Sequence, residues 1–223
     1  MEQPTFVQRL LEAAGEIWAG YHTHPFVQGI GDGTLPVDKF RRYLIQDYRY
    51  LADYARVFAI GTAKGGSLAA MGEYAGYVHQ ILHGEMDLHR SYMARLGITQ
   101  EEAEGAAPAL DTISYTSYML RVAYEGDEGA AAVAVLACAL SYEVIARRLV
   151  ERFPGCDRHP FYGEWVRGYA GEEYHRGNLA LIALTEQLAQ GRSGAQLDKL
   201  EEIFLICSRY EAAFWDMAWK EGC

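Results

Sequence analysis

The stretch YLIQDYRYLADYA (residues 43–55) carries an aspartate where an amphipathic helix would place a leucine. Advancing about 100° per residue from Phe40, the side chains of Tyr43, Leu44, Leu51, Tyr54 and Phe58 gather on one side, and Asp47 falls among them. Arg42, Gln46, Arg49, Asp53 and Arg56 occupy the opposite side, so the polar face is already filled; Tyr50 sits at the stripe's edge. Near the C-terminus Leu197, Leu200, Phe204, Cys207, Phe214, Trp215 and Ala218 form a second stripe, and Glu211 lies at its centre. A carboxylate buried alone must be neutralised or bear a large desolvation cost, so inward carboxylates persist where they are hydrogen-bonded, paired or required by a ligand. For either acid taken singly, a tyrosine or arginine that merely satisfies the charge is the competing reading.

A third chemical group comes from VLACALSYEVIARR (residues 135–148), a segment apolar on nearly every side and therefore central. Cys138 and Tyr142, four residues apart, share a face there. A buried cysteine is ordinarily a small hydrophobe, and Cys138 becomes a candidate nucleophile only if it meets Asp47 and Glu211 around one cavity. The 16 tyrosines cluster among polar residues in DYRYLADY, SYTSYM and RGYAGEEY. Flat apolar rings with hydroxyl handles suit a pocket for a planar heterocycle, although each tyrosine alone is as readily a packing residue.

The elements that must position these groups read as helices. Proline is scarce, at 6 residues, and alternating β-branched runs are few, so the fold class is all-α. Helices are predicted over about 5–18, 37–63, 68–96, 114–124, 128–153, 161–189 and 197–219, a bundle of about seven. A long connection is expected at GYHTHPFVQGIGDGTLP, and a capping box at Thr99 and Glu102. A chain of 223 residues with evenly spread apolar positions reads as one domain, residues 1–223.

A formal charge of −10 without a basic cluster repels a phosphate backbone, so nucleic acid is not an expected partner. The longest strictly apolar run, AAAVAVLACAL (residues 130–140), is short of the roughly 20 residues of a bilayer-spanning helix and reads as core. The N-terminal MEQPTF has no signal-like pattern, and Cys138, Cys156, Cys207 and Cys223 form no CxxC pair, so free thiols in a reducing cytoplasm are expected. His79, His83, Glu85 and His89 have spacings that could present metal ligands, and Glu172 with His175 forms an ExxH element. A second ExxH and the HExxH signature are both missing, so no metal is expected.

Five stretches together resemble the TenA (thiaminase II) family of heme-oxygenase-like helical proteins: FRRYLIQDYRYL (40–51), SYTSYM (114–119), LACALSYEV (136–144), HPFYGEWVRGYAGEEY (159–174) and SRYEAAFWDMAW (208–219). The resemblance implies that Asp47 hydrogen-bonds a 4-aminopyrimidine, that Cys138 attacks the ring, and that Glu211 protonates the ring and the departing group. It implies pocket roles for Tyr50, Tyr115, Tyr142 and Tyr169, ring packing by Phe214, no cofactor, and a homotetramer. Cys138 puts the chain with the family's cysteine-bearing branch. The implied reaction releases hydroxymethylpyrimidine from aminopyrimidine breakdown products of thiamin, or from thiamin itself. Glu85 and His89 resemble a stretch read as structural. A non-catalytic pyrimidine or thiamin binder, and less so a di-metal bundle enzyme, stand as alternatives.

Overall fold

The computed structural model describes residues 4–220. Among them the secondary structure is helical throughout: α1 (Phe6–Thr23), α2 (Pro25–Asp32), α3 (Val37–Lys64), α4 (Leu68–Gln80), a π-helical turn (Ile81–Glu85), α5 (Met86–Arg95), α6 (Gln100–Gly105), α7 (Leu110–Glu125), α8 (Glu128–Arg152), α9 (Gly163–Ala170), α10 (Glu172–Ala189) and α11 (Gly194–Trp219), with a 3₁₀ turn at Cys156–Arg158.

The all-α expectation holds, and the element count is higher than the sequence suggested for three reasons. The expected long connection after the first helix is mostly structured, because Pro25 opens α2 at its first turn and the His24 ring accepts from the Phe26 N–H at 3.2 Å. The helix expected over 68–96 is interrupted by the π turn. The one expected over 161–189 breaks at Gly171, which is extended (φ −74°, ψ 156°) and where a Cβ would stand 2.8 Å from the Arg167 carbonyl oxygen. Only half of the expected capping box forms: Thr99 caps α6, accepting from the Glu102 N–H at 3.0 Å, while the Glu102 carboxylate pairs with Arg41 instead of returning to the cap.

The axis of the bundle is α8. Asp127 fastens its start by accepting from the N–H groups of Gly129 and Ala130 at 3.0 and 3.2 Å. Its core-facing alanines (130–132, 134, 137, 139 and 146) leave room for α3, α7, α9, α10 and α11 to pack closely around it. It is the one helix among the described residues long and apolar enough to cross a bilayer, yet 94% of that stretch is buried inside the bundle. The core reading of residues 130–140 therefore holds. Cys138, Cys156 and Cys207 are buried free thiols; Cys223 lies outside the described residues.

One residue of α3 leaves its expected place. Gln46, assigned to the solvated face, is buried and ties the loop before α7 to α3. Its amide nitrogen donates to the Ala107 carbonyl at 3.2 Å, and its amide oxygen accepts from the Ala109 N–H at 2.8 Å and the Thr112 hydroxyl at 2.9 Å.

Candidate active site

Five elements converge where α3, α8 and α11 face one another. Asp47, Tyr50 and Tyr54 come from α3, Tyr115 from α7, Cys138 and Tyr142 from α8, Tyr169 from α9, and Glu211 and Phe214 from α11, all of them buried. Glu211 is 1% exposed and accepts from the Tyr115 hydroxyl at 3.1 Å. The Cys138 thiol is near enough to the same carboxyl for each to alter the other's acidity, and the nearby Tyr50 hydroxyl donates to Met119 Sδ at 3.7 Å. Tyr50 packs between Tyr115, Tyr54 and Phe214, with ring centroids 5.0, 5.4 and 5.8 Å away. Tyr142 and Tyr169 sit 4.7 Å apart by centroid, and the Tyr142 hydroxyl accepts from that of Tyr43 at 3.3 Å.

Burial sets the protonation of this cluster. Desolvation, reinforced by the charge of Asp47, pushes the Glu211 carboxyl up to about 8 against the hydrogen bonds from Tyr115 and Cys138, so it holds a proton at neutral pH. Burial and the neighbouring Glu211 charge also push the Cys138 thiol well above its ordinary value, with the Tyr50 hydrogen bond opposing. Sulfur and carboxyl thus rest as a neutral acid pair, one able to lend a proton while the other gives one up.

Two residues without an expected chemical role stand inside the cluster. His89 on α5 is 1% exposed, and its Nε2 lies 2.6 Å from Asp47 Oδ2 while its Nδ1 lies 3.0 Å from the Glu85 carbonyl oxygen. A carbonyl only accepts, so Nδ1 carries a hydrogen, and the short contact at Nε2 then requires one more proton between imidazole and carboxylate. Burial lowers the basicity of His89, but the hydrogen bond and charge of Asp47 and the charge of Glu85 outweigh it and leave it raised, which favours the imidazolium–carboxylate form. Asp47 accordingly has one oxygen fixed by His89 and the other available to a ligand.

Glu85, the last residue of the π turn, accepts from the Tyr169 hydroxyl at 2.8 Å. Burial and the charge of Asp47 push its carboxyl up to about 7 while His89 pulls it down. It is only partly covered because it borders a cleft of about 490 Å³ between the π turn, α3, α9 and α10, whose walls include Tyr54, Phe58, Tyr77, Tyr169 and Tyr174. Of the site residues named from sequence, Tyr169 alone lines that cleft; the others are buried and take no part in its walls. Tyr54, whose hydroxyl donates to the Val135 carbonyl at 2.9 Å, is a further wall residue absent from the sequence-based set.

The spacings that suggested metal ligands are resolved otherwise. The imidazoles of His79 and His83 stack on the cleft rim with centroids 4.7 Å apart, His89 pairs with Asp47, and His175 Nδ1 meets Glu143 Oε1 at 2.6 Å on the α8–α10 interface. Among the described residues no group of three or more His, Cys, Asp or Glu side chains has metal-holding geometry.

This arrangement matches known proteins over nearly the whole chain. A relative from Halalkalibacterium halodurans named aminopyrimidine aminohydrolase is 48% identical over 217 residues, covering 97% of this chain and 96% of its own. The solved TenA homologue from P. horikoshii superposes with a TM-score of 0.89 at 30% identity, covering 98% of this chain and 100% of that one. A domain from Shewanella denitrificans described as having a heme oxygenase-like fold, 14% identical, superposes at 0.75 over 96% of this chain and 91% of its own and shows the fold alone. The pattern of the TENA/THI-4/PQQC family matches residues 11–221, and the chain belongs to that family.

Proposed function

We propose that this protein is an aminopyrimidine aminohydrolase of the thiaminase II type, which releases hydroxymethylpyrimidine from an aminopyrimidine through a covalent cysteine adduct. The observation that carries the reading is the buried Cys138 thiol beside the Glu211 carboxyl, which burial keeps protonated, among packed aromatic rings and with Asp47 held by His89 nearby. The H. halodurans relative bears the name of that activity.

In this mechanism the free oxygen of Asp47 accepts from the pyrimidine's 4-amino group and fixes the ring between the side chains of Tyr50, Tyr142, Tyr169 and Phe214. Glu211 donates its proton to a ring nitrogen, which makes the adjacent carbon electrophilic, and the carboxylate so formed takes the proton of Cys138 as the sulfur bonds to that carbon. The electron density gained by the ring expels the substituent on the exocyclic methylene, which leaves with the pair of its bond to the methylene carbon and, when it departs from a neutral amine, takes the proton that Glu211 has just received from Cys138. Water adds to the exposed methylene and loses a proton to the site. The carbon–sulfur bond then breaks, the thiol recovers its proton, and the aromatic ring returns. For an aminomethyl substrate the sum is amine plus water giving alcohol plus ammonia, with no redox change.

Residues 1–223 act as one domain in this reading, working as a homotetramer in the cytoplasm in the service of thiamin salvage. Replacing Cys138 with Ala is expected to lower the turnover number for aminomethylpyrimidine by at least about 10³-fold. Ligand affinity measured by calorimetry is expected to stay within about threefold of wild type. Turnover within about tenfold of wild type would exclude the covalent route. Ligand binding by the wild type without any product after prolonged incubation would favour a carrier instead.

A further inference from the structure

The reaction above assigns the pyrimidine ring to Asp47, Cys138 and Glu211 but leaves the substituent on the exocyclic methylene without a partner. That substituent has to leave, and Glu85 and Tyr169 link the site to the 490 Å³ cleft, both lining it while Tyr169 packs on Tyr142 and Glu85 neighbours Asp47 and Cys138. The cleft has a definite electrostatic character. Its lining holds two carboxylates, Glu85 and Glu173, and no Lys or Arg, the two imidazoles of His79 and His83 standing at the rim, while five of its residues are aromatic rings of Tyr or Phe. Carboxylates and π faces together favour a cation over a neutral amide or an anion.

Glu85 is the carboxylate placed to act on that group. It is aimed inward by the π turn, a local insertion in a helix that recurs at functional sites because it redirects a side chain the regular ladder would point elsewhere. Tyr169 fixes one carboxylate oxygen at 2.8 Å, and the other takes no hydrogen bond among the described residues. The Asp47 and Cys138 side chains are close enough for the Glu85 charge to act on both.

We propose that Glu85 is the specificity residue for the leaving group, its second oxygen pairing with a cationic substituent, a protonated aminomethyl or a quaternary ring nitrogen, on the pyrimidine's exocyclic methylene. The assignment rests on the hydrolase reading for the position of the ring. It adds no step to the reaction: an ammonium held by Glu85 leaves as the neutral amine with the pair of the broken carbon–nitrogen bond.

The test compares Glu85→Gln, which keeps shape and removes charge, on a cationic and a neutral substrate, aminomethylpyrimidine and formylaminomethylpyrimidine. The variant is expected to raise KM for the cationic substrate about tenfold and to leave the neutral one within about twofold, so that the preference between them falls. Equal effects on both substrates, or none on either, would overturn the assignment. The same comparison is made at equilibrium by calorimetry, with Cys138→Ala and Cys138→Ala/Glu85→Gln binding aminomethyl- and hydroxymethylpyrimidine. Loss of the preference for the cationic ligand supports the proposal whether or not the wild type turns over, and an unchanged preference refutes it. A wild type that binds these ligands but hydrolyses neither substrate would refute only the hydrolase reading. Unaltered thermal melting of Glu85→Gln separates a change in recognition from a change in folding.

Discussion

Asp47 was legible in the sequence as an inward-facing carboxylate because its neighbours on the helical wheel are all buried, whereas its partner was not. On an unbroken wheel begun at Ala70, residues Met86, His89 and Met93 point about 100–160° away from the buried side of α4. The π turn inserts one residue, and subtracting about 100° brings all three back onto that side, where they are in fact buried. An unbroken helix would therefore set His89 on the solvated side, and the extra residue turns it inward. The pairing has a measurable consequence. Asp47→Asn removes the negative partner that keeps His89 protonated, so the His89 ring is expected to titrate at lower pH in the variant when followed by NMR, and KM for the aminopyrimidine is expected to rise by about tenfold or more. An unchanged His89 titration would mean that Glu85 alone sustains its charge.

At the level of elements, α3 and α8 begin where predicted and end one residue from the expected bound, whereas α7 and α11 begin four and three residues earlier than predicted. The two breaks that matter for the site were not foreseen, since a glycine inside a helical pattern such as Gly171 is usually tolerated and nothing in ILHGE announces a π turn. Close contact between α3 and α4 is what holds the π turn, and with it Glu85, against the chamber. At their crossing Gly61 faces the ring of Tyr74, where a Cβ would come within 2.5 Å, and that ring is held in place by its hydroxyl donating to the Glu128 carbonyl at 2.6 Å. Gly61→Ala is therefore expected to destabilise the protein by about 1–3 kcal/mol in urea melts. A change below about 0.5 kcal/mol would show that Tyr74 gives way freely.

On the scale of the whole molecule, the sequence could indicate three inward polar groups but not their meeting, because Asp47, Cys138 and Glu211 are brought together only by the packing of α3 and α11 on α8. That meeting costs stability. Glu211 titrates near 8 and Glu85 near 7 in the folded chain, above an ordinary glutamate near 4.5, so between those limits the folded state holds more protons than the unfolded one. Stability then falls as pH rises through that window, and the raised His89 adds to the same slope. Asp127 and Asp216, whose carboxyls are lowered, act in the opposite direction in acid, below the ordinary aspartate range, and His22 and His24, lowered chiefly by burial, do so just below the ordinary histidine value of 6.5. Glu211→Gln is expected to be more stable than wild type by on the order of 1–3 kcal/mol at pH 8.5, and little different at pH 4.5, in paired denaturant melts. Equal stability of the two proteins at both pH values would show that Glu211 is not held in its neutral form by the fold.

The apolar central helix also constrains how the molecule is made. The ribosome releases α8 well before α10 and α11 exist to cover it, although those two later helices, with α3 and α7, form much of its coat. The nascent chain must therefore carry a sticky, membrane-like segment until α10 and α11 have been made, and folding waits for α11 to close over the Cys138 sulfur.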